Sequence, residues 1–280
     1  MIVALRWSIT VPAESDQRGQ EKGAGLSSSR GDGDGVQPSR RTVLGWAAAT
    51  VGLAGVQVAG AAVAAAAPAE PGAPEAQKAA ESVAAHVRDV LGKSARKNAV
   101  ALTIDDGPDP TWTPKVLELL AVNGVRATFS LVGEQARAYP KLVRRIAAAG
   151  HGLCNHSMTH PQPFGALSSA AIRRQVVDAQ AAIADAAGAE PELFRSPGGN
   201  WTPAVLDVTE ELGLTPVGWS VDPRDWSLPG AAAIQASLRT ARPGDILLCH
   251  DGGGNRAQTV VALEAVLPQL RAEGLRFVVL

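Results

Sequence analysis

From residue 98 to the C-terminus the sequence alternates short β-branched or apolar runs with turns and helix-length stretches. The runs at 98–104, 125–131, 151–155, 193–196, 215–221, 245–250 and 275–280 read as strands. Helical stretches at 114–122, 139–149, 168–187, 231–240 and 258–273, and one opening at Thr202-Pro203, lie between them. Strands alternating with helices mean βαβ units, and βαβ units mean a parallel sheet. Seven strands in this length favour a closed or nearly closed sheet over an open doubly wound one. The expected fold is α/β: a distorted (β/α)7-type barrel of parallel strands with an outer ring of helices. Its core is built largely from Ala, Val and Leu, because alanine inflates the 46% hydrophobic share. Such folds carry their chemistry at the carboxyl ends of the strands. Asp105-Asp106, Asn155-His156, Arg195, Asp222 and His250 all follow strand ends.

The rest of the chain reads differently. Residues 1–39 are rich in Gly, Ser, Gln and Asp and cannot bury enough apolar surface to order themselves. Arg40-Arg41 with Leu44 then precedes residues 45–67, which hold no charge, and small residues of A-x-A type follow at 65–69. A basic pair, an apolar stretch and a small-residue cleavage site read as an export signal of twin-arginine type. The expected location is outside a bacterial cell, secreted or on the wall, with the membrane met only in transit. An uncleaved anchor is the alternative, since 23 apolar residues can span a bilayer. The expected organisation is 1–69 leader and signal, 70–97 linker with a short helix, and 98–280 catalytic domain.

Composition removes several function classes. Lys+Arg of 26 against Asp+Glu of 27 gives a net charge of −1, which argues against nucleic acid as a partner. No glycine-rich phosphate loop follows the first strand, so no nucleotide cofactor is expected. Two cysteines exclude a disulfide scaffold and a four-cysteine zinc site. Cys154 shares parity with His156 and should point inward. Cys249 alternates with His250 and should point toward the helices, so no bridge between them is expected.

The candidate chemistry is hydrolytic. His156 and His160 are four apart with Pro161 immediately after, so one helical turn or one tight loop can aim both rings at a point. That spacing suits zinc or another borderline divalent metal, though alone it is weak. Asp105-Asp106 strengthens it, because adjacent carboxylates before Gly107-Pro108 repel unless a cation is present. One can ligate the metal while the other moves a proton.

Five motifs then occur in order: Thr103-Ile104-Asp105-Asp106-Gly107-Pro108, His156-Ser157-x-x-His160, Arg195-Ser196-Pro197-Gly198-Gly199, Asp222-x-x-Asp225-Trp226 and Leu248-x-His250. The set resembles the polysaccharide deacetylases, the NodB-homology domain of carbohydrate esterase family 4. The resemblance implies a carbon-nitrogen (non-peptide) hydrolase. It implies Asp106, His156 and His160 as metal ligands, Asp105 as general base and Arg195 as its holder. It implies His250 as general acid, Asp225 as the partner tuning it, Gly198 as an oxyanion donor, and Trp226 and Leu248 as walls for the acetyl methyl. The cofactor implied is a divalent metal, zinc first, with cobalt or nickel as alternatives. The implied partner is an acetylated polysaccharide or oligosaccharide carrying N-acetylglucosamine, of peptidoglycan or chitin type. An acetylxylan esterase, another exported amide hydrolase and a silent wall-binding module are the competing readings.

Departures from the family pattern are Ile104 where Phe is usual and Gly198 where an aromatic is common, which removes one wall. Trp112 and Trp201, with Trp226, fall near the expected mouth and can stack on sugars or pack loops. Asn155 and Asn200 can bind hydroxyls or cap turns. His151 reads as a core or supporting residue, and His86 as solvated. Residues 251–255 read as a flexible loop and candidate substrate rim.

Overall fold

In the computed structural model, which describes residues 82–280, the seven named strands all pair in parallel. They are β1 (Ala99–Asp105), β2 (Thr128–Leu131), β3 (Gly152–Asn155), β4 (Leu193–Phe194), β5 (Thr215–Pro216), β6 (Ile246–His250) and β7 (Arg276–Val278). The sheet order is β5-β4-β3-β2-β1-β6, with β7 beside the first half of β1. The sheet curls almost shut, because Val221 returns to bridge Leu247 of β6 in parallel. This is the distorted (β/α) barrel that the alternation of runs calls for.

The helices are α1 (Val87–Leu91), α2 (Thr113–Val122), α3 (Gly133–Ala138), α4 (Pro140–Ala148), α5 (Ser169–Ala187), α6 (Pro203–Glu211), α7 (Ala231–Leu238) and α8 (Ala257–Ala272). All seven residues of β1 are buried, as expected for a strand covered on both faces. The period-2 pleat sorts them. Val100, Leu102 and Ile104 pack with Leu263 and Ile183 of the helices. Ala99 and Ala101 face inward with Cys154, Leu193 and Ile246. Cys249 joins the helix-side cluster, so the parity argument holds and both cysteines are free.

Two differences from the expected elements have local causes. Of the strand expected at 215–221, only Thr215–Pro216 forms a ladder; Val217 and Val221 make isolated bridges to Ala84 and Leu247, and the carbonyls of Val217 and Gly218 accept from Arg195. The short α3 was not foreseen. Its first turn is fixed from outside, by Gly133 N–H and Glu134 N–H donating to the carbonyls of Ser157 and Met158. At the amino ends of the strands, Val87 of α1 packs into the inner cluster with Ala99 and Ile246. The carboxyl ends are left for the site.

The leader and export signal expected in residues 1–69 lie outside the described residues. No helix among the described residues is long and apolar enough to cross a membrane.

Candidate active site

Register sets the first distance in the site. Asp105 ends β1 and His250 ends β6, and the two are Cα partners on adjacent parallel strands. Neighbouring strands lie about 4.8 Å apart, so a carboxylate and an imidazole meet across one strand spacing. Leu248 is two residues before His250 on the same face, opposite Thr103. All of these side chains border a cavity of about 590 Å³ at the carboxyl ends of the strands, except Thr103, which lies beneath it.

Asp106 follows Asp105 but leaves the strand, with φ of 74°, in the left-handed region that aspartate enters at a cost. This turn throws the two adjacent carboxylates to different partners. Asp105 Oδ1 accepts from Arg195 Nη1 at 2.8 Å. Asp106 Oδ1 lies 3.4 Å from His156 Nε2 and 3.3 Å from His160 Nε2. The three donor atoms lie within 4.8 Å of one another. His156 and His160 sit on a tight loop and not a helix, with φ of 66° at Ser157 and 53° at His160. Ser157 Oγ accepts from His160 N–H, and Asn155 Oδ1 accepts from Ser157 N–H. Asn155 is itself fully buried and donates to Val176 of α5, so it braces the loop.

The protonation pattern suits a cation. His156 Nδ1 is 2.8 Å from the carbonyl of Arg195, which can only accept, so Nδ1 is the donor there and Nε2 is the nitrogen turned to Asp106. Burial and the neighbouring His156 hold His160 below the usual imidazole value. Burial alone would raise Asp106, but His156 and the fields of His250 and His160 outweigh it and hold the carboxyl well below its usual range. Asp106 Oδ1 is buried and has no hydrogen-bond donor among the described residues. An orphaned carboxylate oxygen beside two imidazole nitrogens fits a divalent metal of borderline softness.

On the opposite wall, Asp225 Oδ1 takes His250 Nδ1 at 2.6 Å, and its Oδ2 takes His250 N–H and Thr259 Oγ1. Burial works against the His250 cation, yet Asp225 outweighs it and raises the imidazole above its usual value. Arg195 is fully buried and spends its remaining donors on Thr103 Oγ1, Val217 O and Gly218 O. Gly198 and Trp226 also border the cavity, Trp226 with nearly half its surface exposed.

Thus Asp105, Asp106, His156, His160, Asp225, His250 and Arg195 converge, with Gly198, Leu248 and Trp226 around them. Trp201 instead packs edge-on against Phe194, 5.9 Å between centroids. Trp112 precedes α2 with Lys115 over its ring. His151 Nδ1 accepts from Ala127 N–H and its half-buried ring meets Phe129, so it supports the fold away from the cradle. Residues 251–255 are not simply a flexible rim: Asp251 and Gly252 are buried against Gly107 and Asp106. Two residues of the site, Trp219 and Arg256, escaped the sequence, and Asp251 was raised only as part of a flexible rim. Trp219 lies under Arg195, its ring 5.6 Å from the guanidinium. Asp251 is buried, and burial raises its carboxyl to about 7. Arg256 borders the cavity beside Asp106.

The polysaccharide deacetylase family profile matches residues 92–217. A chitooligosaccharide deacetylase of Sinorhizobium fredii is 42% identical over 201 residues, 68% of this chain and 93% of that protein. This chain belongs to the polysaccharide deacetylase family. A peptidoglycan-N-acetylglucosamine deacetylase of Bacillus cereus is 41% identical over 182 residues, 64% of this deacetylase and 84% of that one. Among solved structures, a family 4 carbohydrate esterase from Streptomyces lividans, in complex with acetate, superposes with a TM-score of 0.60 at 36% identity, over 65% and 92% of the two chains. A family 4 pseudoenzyme from Bacillus anthracis superposes with the same score at 28% identity, over 65% and 63% of the chains. The fold alone therefore does not decide activity within this family, and the residues at the strand ends matter. The deacetylase is a hydrolase of carbohydrate N-acetyl groups by its family.

Proposed function

We propose that this is an exported, divalent-metal-dependent deacetylase. Its substrate would be the N-acetyl group of N-acetylglucosamine units in peptidoglycan or chitin-like glycans. The observation that carries this reading is the pairing of Asp105 and His250 across one strand spacing, above the cradle of Asp106, His156 and His160. A proton acceptor, a proton donor and a cation site then share one cavity.

Asp106, His156 and His160 would hold the metal, with zinc the best fit to two imidazoles and a carboxylate. When bound, the cation supplies Lewis-acid polarisation of the amide carbonyl and acidifies the attacking water. Asp105 takes the proton of that water through Oδ2, because Oδ1 is committed to Arg195. Arg195 fixes the carboxylate through its Nη1. His250, held by Asp225 through Nδ1, donates a proton from Nε2 to the departing amine. The main-chain N–H of Gly198 supports the developing oxyanion. Leu248 and Trp226 receive the acetyl methyl.

The substrate class draws support from the named activities of the relatives, and export from Arg40-Arg41 and the apolar run behind them. The filled site favours a working enzyme over a silent wall-binding module. The deciding experiment strips metal, reconstitutes with zinc, cobalt or nickel, and measures acetate from chitooligosaccharide, peptidoglycan and acetylxylan. Release from the first two, lost in Asp105→Asn with metal binding retained, is expected. Release from acetylxylan alone would move the enzyme to ester hydrolysis.

A further inference from the structure

One buried cation near the site has no part in the reaction above. Arg256 precedes α8 and is almost fully buried. Its Nε donates to the carbonyl of Gly252 at 2.6 Å, and its Nη2 lies 3.9 Å from Asp106 Oδ2. The two oxygens of Asp106 therefore keep different company. Oδ1 faces the two histidines and has no hydrogen-bond donor among the described residues. Oδ2 faces the guanidinium.

The loop between His250 and Arg256 is shaped around this contact. A Cβ on Gly253 would stand 2.7 Å from Asp106 Oδ2 and 3.3 Å from Arg256 Nη2. One on Gly252 would overlap the carbonyl of Asp106. Only glycines let the loop close over Asp106, and Gly253 adopts a φ of 69° that favours glycine as well. Asp106 itself is held in a left-handed conformation, which persists only where the surroundings impose it.

We propose that Arg256 is a positioning residue for the metal site: it pins Oδ2 of Asp106, so that Asp106 offers one oxygen to the cation. This rests on reading Asp106, His156 and His160 as the cradle. A carboxylate free to rotate can swing both oxygens onto a cation and fill a place that substrate or water needs. Groups that orient a ligand in this way typically change metal affinity or activity by about 10–100-fold when removed.

The test uses the full chain, stripped of metal, and reads binding directly. Zinc is titrated calorimetrically, and cobalt(II) is added for its visible absorption spectrum, which reports ligand number. Arg256→Gln is expected to shift the cobalt spectrum toward a higher ligand number, as Asp106 turns both oxygens to the ion, and to change zinc affinity by about 10–100-fold. Arg256→Lys, which keeps a charge but loses the Nε bond to Gly252, is expected to show a smaller change on both readouts. If Arg256→Gln does not fold, Arg256→Lys decides on the same two readouts. A folded variant with zinc affinity and cobalt spectrum both unchanged overturns the proposal, provided Asp106→Asn loses the metal. A wild-type protein that binds neither zinc nor cobalt would remove the cradle, and the proposal with it.

Discussion

Arg195 is the largest fully buried side chain in the described protein. Its guanidinium is always charged and presents only donors. Those donors go to Asp105 Oδ1 at 2.8 Å, Thr103 Oγ1 at 2.7 Å, Val217 O at 3.2 Å and Gly218 O at 2.6 Å. Arg195→Met keeps most of the aliphatic volume and removes every one of them. Breaking a buried ion pair from one side costs about 3–5 kcal/mol, since the remaining charge stays buried and unpaired. Each carbonyl left without a donor adds up to about 1–3 kcal/mol, less whatever relaxation recovers. A loss near the top of the ion-pair range, about 5 kcal/mol, is therefore expected. Against a total stability of about 5–15 kcal/mol, this puts the variant at the edge of folding. If the lone carboxylate is the main cause, removing its charge should help. Asp105→Asn/Arg195→Met should then be more stable than Arg195→Met by about 1–3 kcal/mol. Urea titration of the metal-free protein, followed by tryptophan fluorescence, measures both, and Trp219 beside the guanidinium serves as a local reporter. A loss below about 1 kcal/mol in Arg195→Met, or no gain in the double variant, would refute the charge argument.

Asp225→Asn should lower kcat by about 10²–10⁴-fold. Asp225 raises His250 against the effect of burial, so its neutralisation lets the imidazole fall; the basic limb of the kcat/KM profile, where the acid loses its proton, should move to lower pH. Prolonged chelation should abolish acetate release and zinc should restore it, whereas His156→Ala should show no recovery at the same zinc concentration. Asp251 is raised from 3.8 to about 7 by burial, so in the metal-free protein its contribution to stability is full below about 4 and is lost as pH rises to about 7. Asp251→Asn should flatten that slope, gaining at most about 4 kcal/mol at pH 8 in urea unfolding.

Legibility in this chain follows the range over which each constraint acts. Strand and helix positions in the barrel were readable because the pleat and the helical repeat act within a few residues. Ser168 before α5 and Thr202-Pro203 before α6 mark their starts with side chains that cap or pre-set the first turn. Helix α3 was not readable, since six residues carry too little periodicity and its first turn is held by the carbonyls of Ser157 and Met158. The strand expected at 215–221 was overestimated for a similar reason. Its β-branched residues promise pairing, but nothing in their order says that Arg195 will claim two of the carbonyls.

The site divides along the same line. Asp105, Asp106, His156, His160, Arg195, Asp225 and His250 sit in motifs whose order recurs across a family, so residue type and order were enough to raise them. Arg256 and Trp219 were invisible. No motif or spacing singles out an arginine at the end of a glycine-rich stretch or a tryptophan on an expected strand. Their importance comes from depth and from what they touch, which is another segment in each case: Asp106 for Arg256, Arg195 for Trp219. Conformation hides similarly. Asp106, Ser157 and His160 all have positive φ, and no residue type there announces it, since none is glycine. A single bent strand end makes two neighbouring carboxylates face two different partners, and only then can one serve the cation and the other the proton. The residues that impose the bend are therefore as much a part of the catalytic arrangement as the residues that display it.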